Sequence, residues 1–132
     1  MDPLPIGLRL VRTARAVSQE FDRAMTEAGG SAAVWQVLLL VRSQQWGTQS
    51  QMAEAMGITG ATLTHHLNAM EGQGLVTRRR TGRVQHVDLT PEGAALFDRL
   101  REVAMRHDAR LREGLTDAET AQLAALLGKI RP

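Results

Sequence analysis

Residues 48–57 read TQSQMAEAMG and residues 57–74 read GITGATLTHHLNAMEGQG. A helix that glycine stops after about two turns, followed at once by a second helix, leaves few ways for the chain to continue. Thr48-Gln49-Ser50-Gln51 has the form of a capping box, in which the threonine and glutamine side chains satisfy each other's backbone N–H groups. It starts a short helix to Met56. Gly57 supplies a tight turn, and Thr59 or Thr62 starts the next helix. Leu63, Leu67 and Met70 face inward along it, and Gly72 to Gly74 end it. Ala53 sits where the second helix must cross closely, so a small side chain is needed there. This is the pattern of a helix-turn-helix.

The next residues give that motif a wing. Leu75-Val76-Thr77-Arg78 and Val84-Gln85-His86-Val87-Asp88-Leu89 alternate or carry β-branched residues, and Arg80-Thr81-Gly82 between them offers a turn. The expectation is a two-stranded hairpin. Thr90-Pro91-Glu92 then has cap, proline and acid in the order of a helix start.

Helices are expected on both sides of this unit. Pro3 and Pro5 precede a stripe of Leu10, Ala14, Val17, Phe21, Ala24 and Ala28 at helical spacing, with Arg9, Arg12 and Arg23 opposite, ended by Gly29-Gly30. Ser31 can cap a second helix through Val34, Trp35, Val37, Leu38, Leu39, Leu40 and Val41. That helix is apolar nearly all round, hence central, and Gln44-Gln45-Trp46-Gly47 closes it. Phe97, Leu100, Ala104, His107 and Leu111 share a face of a helix running to about Gly114. Thr116 to Glu119 is a second capping box, before a stripe of Leu123, Leu126, Leu127 and Ile130. The fold class expected is mainly α with a small β-hairpin wing, a winged helix-turn-helix with N- and C-terminal dimerisation helices. Residues 1–30 form the N-terminal dimerisation helix, 31–90 the DNA-binding unit and 91–132 the C-terminal dimerisation helices. The terminal stripes exceed what the small winged unit can cover, so a two-fold homodimer is expected.

Charge points to a partner. The chain carries 16 Lys and Arg against 14 Asp and Glu. Arg78, Arg79, Arg80 and Arg83 lie within residues 57–87, where Glu71 is the single acid. All of the excess positive charge is therefore local, as a polyanion-binding patch requires. A solvated basic turn is the bland alternative. A helix entering a major groove cannot present acids to the phosphates that line it. Thr62, Thr64, His65 and Asn68 are polar groups able to reach base edges or phosphates, and Ala61 could meet a thymine methyl. Thr59 is a further candidate for DNA contact, and for both Thr59 and Thr62 capping the helix is the plainer role. Gln49, Ser50 and Gln51, at a helix start, would lie near phosphate. Arg78, Arg79, Arg80 and Arg83 form the wing, where arginine suits a narrow minor groove.

Other functions find little support. No cysteine is present, which excludes disulfide scaffolds and thiolate metal sites. No run of 18 apolar residues occurs, and the first residues lack the pattern of a signal peptide, so the expectation is a cytoplasmic protein without a membrane partner. Phosphate loops, H-E-x-x-H and G-x-S-x-G motifs and acidic clusters are missing, so the chain is not read as an enzyme. No cofactor is expected. His65 and His66 are adjacent, and on a helix they point about 100° apart; with His86 and His107 on other elements, no metal site is expected. Met25, Met52, Met56, Met70 and Met105 are read as packing residues.

The element order resembles the MarR family of bacterial transcription regulators. The resemblance rests on Val34-Trp35-Gln36-Val37-Leu38, on Gln51 through Ile58, on Ala61-Thr62-Leu63-Thr64 through Met70-Glu71, on Gly74-Leu75-Val76, and most specifically on Val87-Asp-Leu-Thr-Pro-Glu-Gly93. It covers almost the whole chain. One departure concerns the wing tip, where the family has Asp-Arg-Arg; here Thr81-Gly82-Arg83 stands, only Arg83 matches, and the loop is about three residues shorter. The expected dimer would present two recognition helices one turn of duplex apart, so its site in double-stranded DNA should be an imperfect palindrome; the resemblance implies repression relieved by a small, aromatic-acid-like effector. It also implies an effector pocket between the dimerisation helices and the winged unit. Trp35 and Arg15 could flank such a pocket, the arginine holding a carboxylate, and His66 joins them as a candidate ligand contact. The plainer roles are core packing for Trp35, a solvated helix face for Arg15 and a packed histidine for His66. The alternative function is a winged-helix module that contacts protein, or binds DNA without regulating transcription.

Overall fold

The computed structural model describes residues 4–43 and 48–132. The expected closure at Gln44-Gln45-Trp46-Gly47, and Pro3, lie outside the described residues. The order is α1 (Ile6–Glu27), α2 (Ala32–Ser43), α3 (Gln49–Met56), α4 (Gly60–Gly72), β1 (Val76–Thr81), β2 (Val84–Leu89), α5 (Pro91–Arg112) and α6 (Asp117–Lys129).

The helix boundaries follow from local chemistry. Gly29, at φ +97°, stops α1, and the Gly30 N–H bonds back to the Met25 carbonyl at 2.9 Å. The Ser31 hydroxyl accepts from the Val34 N–H at 3.0 Å and so caps α2. Both capping boxes form, Thr48 with Gln51 and Thr116 with Glu119. Gly57, at φ +70°, makes the turn from α3, and Thr59 rather than Thr62 caps α4.

One core joins α2, α3, α4, the wing and α5. Val37, Leu38, Met52, Leu63, Leu67, Met70, Val76 and Leu100 are at most 1% exposed, together with Met25 of α1. Ala53 is buried, as a close α3–α4 crossing requires. The start of α5 is fastened to the turn after α4. The Thr90 N–H donates to the Leu75 carbonyl at 3.0 Å, and the Thr90 hydroxyl donates to the Gly74 carbonyl while accepting from the Gly93 N–H. At Gly93 any Cβ would stand 2.0 Å from the Leu75 carbonyl oxygen, so only glycine fits.

Several expectations need correction. The antiparallel strands extend to Thr81 and Val84, which pair directly, so the turn is Gly82-Arg83 and not residues 80–82. A two-residue loop favours positive φ, and Gly82 at +62° supplies it. Arg78, Arg79 and Arg80 thus all lie within β1. Leu39 is 41% exposed, so α2 is not buried all round. Met105 and Leu111 are exposed, and His66 is only half-buried. In the protomer the first half of α1 and the whole of α6 bury no side chain. No single helix among the described residues is long and apolar enough to cross a membrane.

Candidate nucleic-acid interface

Helix α4 divides by periodicity. Leu63, Leu67 and Met70 face the core, whereas Ala61, Thr62, His65 and Asn68 are exposed. These four carry no negative charge. Thr59 is committed to the helix start: its hydroxyl oxygen accepts from the Thr62 N–H at 3.1 Å and lies 2.9 Å from the Thr62 hydroxyl. Thr64, half-buried, lies 2.6 Å from the Gln49 amide nitrogen, a bond that ties the start of α3 to α4. The Gln51 side chain accepts from the Thr48 N–H at 3.0 Å. Of the three polar residues expected near phosphate, Ser50 has the exposed hydroxyl, while Gln49 and Gln51 hold the framework.

The wing sorts its arginines into three situations. Arg78 leans onto α4, where its Nη2 donates to Asn68 Oδ1 at 2.6 Å and to Glu71 Oε1 at 2.7 Å. Its side chain is only 17% exposed. The guanidinium holds the Glu71 carboxyl below its ordinary value of 4.5, chiefly through that hydrogen bond. Arg79, across the strand, lies 3.8 Å from the Asp88 carboxylate and stays exposed. Arg80 and Arg83 stand at the tip, exposed and without a side-chain partner among the described residues. The free positive charge is therefore at the end of the hairpin. Strand alternation alone puts Arg78 and Arg80 on one face and Arg79 on the other; it does not show that Glu71, seven residues before Arg78 in sequence, claims one of them.

A second feature lies between α2 and α5. Trp35 of α2 stacks on Phe97 of α5 with centroids 5.4 Å apart and planes 14° from parallel. They floor an open cleft of ≈ 560 Å³ whose walls include Leu39 and Met105, with Arg101 and Arg112 at the rim. Arg15 and His66 are not among the residues lining this cleft. The sequence alone does not bring Phe97, Arg101 and Arg112 together with Trp35, because their placement depends on the packing of α2 against α5. His65 and His66 stand with ring centroids 6.1 Å apart. Among the described residues no group of three or more His, Asp or Glu is placed to hold a metal ion.

A helix-turn-helix followed by a two-stranded wing, set between long flanking helices, defines a winged-helix regulator architecture. The sequence model of the MarR family matches residues 31–82, the span from α2 to the end of β1. The HTH-type transcriptional regulator PecS of Dickeya dadantii is 25% identical over 136 residues, which cover 98% of this chain and 82% of that protein. The crystal structure of transcriptional regulator PA3341 is 32% identical with TM-score 0.79, and 92% of each chain is covered. The transcriptional repressor CouR, in a structure bound to a 23-mer DNA duplex, is 29% identical with TM-score 0.82 over 92% of this chain and 89% of that one. The protein described here belongs to the MarR family of transcription regulators.

Proposed function

We propose that the chain is a homodimeric repressor that reads an imperfect palindrome in double-stranded DNA and is released by a small anionic, aromatic ligand. The observation that carries the reading is the acid-free outer face of α4 from Ala61 to Asn68, together with the exposed Arg80 and Arg83 at the wing tip, unpaired among the described residues. Ala61, Thr62, His65 and Asn68 would enter the major groove, and Ser50 at the start of α3 would meet phosphate. Arg80 and Arg83 would follow the backbone or minor groove beside it, with Arg79 at the flank. Phosphate contacts would supply most of the affinity and α4 most of the sequence preference. The DNA-bound form of CouR supports this use of the shared fold.

Dimerisation would be made by residues 1–30 and 91–132, flanking the DNA-binding unit at 31–90. The apolar side chains Leu123, Leu126 and Leu127 of α6 and Ile130 just after it are each 47–50% exposed in the protomer, and Ile6, Leu8 and Val11 of α1 are 48–76% exposed. A second copy is the natural cover for them. Two α4 helices would then meet successive major grooves roughly 34 Å apart.

The effector would sit on the Trp35–Phe97 stack, with its anionic group held by Arg101 or Arg112. The cleft has the size and apolar floor of small-molecule sites. CouR from Rhodococcus jostii RHA1, seen bound to p-coumaroyl-CoA, offers an aromatic acyl precedent in the same fold. Arg15 and His66 do not line the cleft in the protomer and take no part in this reading of it.

Selection from a random duplex library, followed by fluorescence anisotropy at several salt concentrations, tests the reading. A recovered palindrome with half-sites about one helical turn apart and a steep salt slope is the expected result. No enrichment, with weak binding insensitive to salt, would remove the DNA assignment and leave α4 and the wing as a protein-contact surface.

A further inference from the structure

Two rows of side chains on the terminal helices share one spacing. On α1 the stripe of Leu10, Val17 and Phe21 is half-buried in the protomer, but it is not the whole apolar surface. A second row holds Leu8 and Val11, 48% and 50% exposed; it reaches back to Leu4 just before the helix and ends on the exposed Arg15. Positions 4, 8, 11 and 15 step by four, three and four, so they line one seam. On α6, Glu119, Leu123, Leu126 and Ile130 step by four, three and four as well, and the three apolar members are 47–50% exposed. Each seam is apolar and carries one charge at one end. That charge is basic at the late end of the α1 seam and acidic at the early end of the α6 seam. Arg15 has no side-chain partner among the described residues. Glu119 accepts from the Thr116 N–H at Oε1, 2.9 Å away, and keeps its second oxygen for another donor.

Only one arrangement of these seams sets opposite charges face to face. An α1 laid antiparallel on a second α1 puts Arg15 on Leu4; laid parallel, it puts Arg15 on Arg15. An α6 on a second α6 puts Glu119 on Ile130 or on another Glu119. An α1 laid parallel on α6 puts Arg15 on Ile130 and Glu119 on Leu4. Laid antiparallel, the same two seams match Leu4 with Ile130, Leu8 with Leu126, Val11 with Leu123 and Arg15 with Glu119. The spacing agrees along the axis, because seven residues separate Arg15 from Leu8 and Glu119 from Leu126, roughly 10 Å on either helix. We infer that α1 of one protomer lies antiparallel on α6 of a second copy, in a register fixed by an Arg15–Glu119 ion pair at the end of an apolar seam. Charges beside such a seam select partner and orientation, while the apolar members supply the burial. A two-fold axis makes the contact twice. The inference rests on the dimer reading above and adds which helices meet, in which direction and in which register.

The test uses the full-length protein, which has no cysteine of its own. Two double variants, Leu8→Cys with Leu126→Cys and Val11→Cys with Leu123→Cys, should each give a covalent dimer on a non-reducing gel after mild oxidation, because facing positions bring the thiols within disulfide reach. Leu4→Cys with Leu123→Cys, roughly 10 Å out of register, should not. Sedimentation at low salt reads the ion pair separately. Arg15→Gln and Glu119→Gln each remove one charge, and glutamine still serves a capping box, as Gln51 does at the start of α3. Each should raise the dimer dissociation constant roughly 3- to 30-fold, with two pairs per dimer, and the double variant should be no weaker than either single one. The loss should fade at about 1 M salt. Losses that simply add in the double variant would overturn the inference. So would cross-linking of the out-of-register pair in place of the other two. A wild type that sediments as a monomer fails the dimer reading itself, whereas a wild-type dimer that cross-links through neither registered pair keeps the dimer and removes this contact.

Discussion

Single atoms decide the most at Gly93. A Cβ there would fall 2.0 Å from the Leu75 carbonyl oxygen, and backbone on both sides leaves nothing flexible to give way. The same oxygen accepts from the Thr90 N–H, so moving it also loosens the α5 cap. Gly93→Ala should destabilise the fold by about 1–3 kcal/mol, the range of an overpacked core site, read as a lower urea midpoint. Glu71 carries a second prediction at this scale. Its folded carboxyl sits below 4.5 because of the Arg78 hydrogen bond, and Glu20 and Glu119 are lowered likewise, by the Arg23 and Thr116 bonds respectively. A depressed carboxylate contributes stability that is present above its unfolded value and lost as pH falls through its folded value. These groups should therefore leave stability flat above about pH 5 and erode it below 4.5. Glu71→Gln should lessen that acid loss, and an unchanged acid limb in its thermal melts would show the ion pair to be idle.

Among the elements, the wing shows why counting arginines misleads. Strand alternation puts Arg78 and Arg80 on one face, but Arg78 lies beside α4 and is taken by Asn68 and Glu71, whereas Arg80 is beyond their reach. Arg83→Ala should weaken binding to every duplex and lower the magnitude of the slope of log affinity against log salt by roughly one unit, as loss of one phosphate contact does. Arg80→Ala should do the same, and Arg79→Ala less, because Asp88 is 3.8 Å away. A changed base preference with an intact slope would place Arg83 on a base edge instead.

For the whole molecule, the exposed stripe of α6 sets the question. A helix of 13 residues with nothing buried is marginal by itself, despite its capping box. In the proposed dimer it gains its cover from a second copy. The melting temperature should then rise with protein concentration. Leu126→Glu should shift the protein toward monomer in sedimentation and remove specific DNA affinity while α2 to α5 stay folded. A monomeric wild type, with a melting temperature independent of concentration, would remove the dimer.

Sequence by itself determined the order and nearly all the ends of the elements, because capping boxes, glycine stops and a Thr-Pro-Glu start act over a few residues. It also determined which face of α4 is apolar and that the surplus positive charge lies in the wing, since both are counts along the chain. The tertiary structure decided which polar groups remain free. Asn68 and Arg78 are ten residues apart and become partners only when β1 folds back along α4. Phe97 meets Trp35, and Gly93 meets Leu75, by packing between elements distant in sequence. Periodicity assigns a residue to a face; it does not say what stands opposite that face.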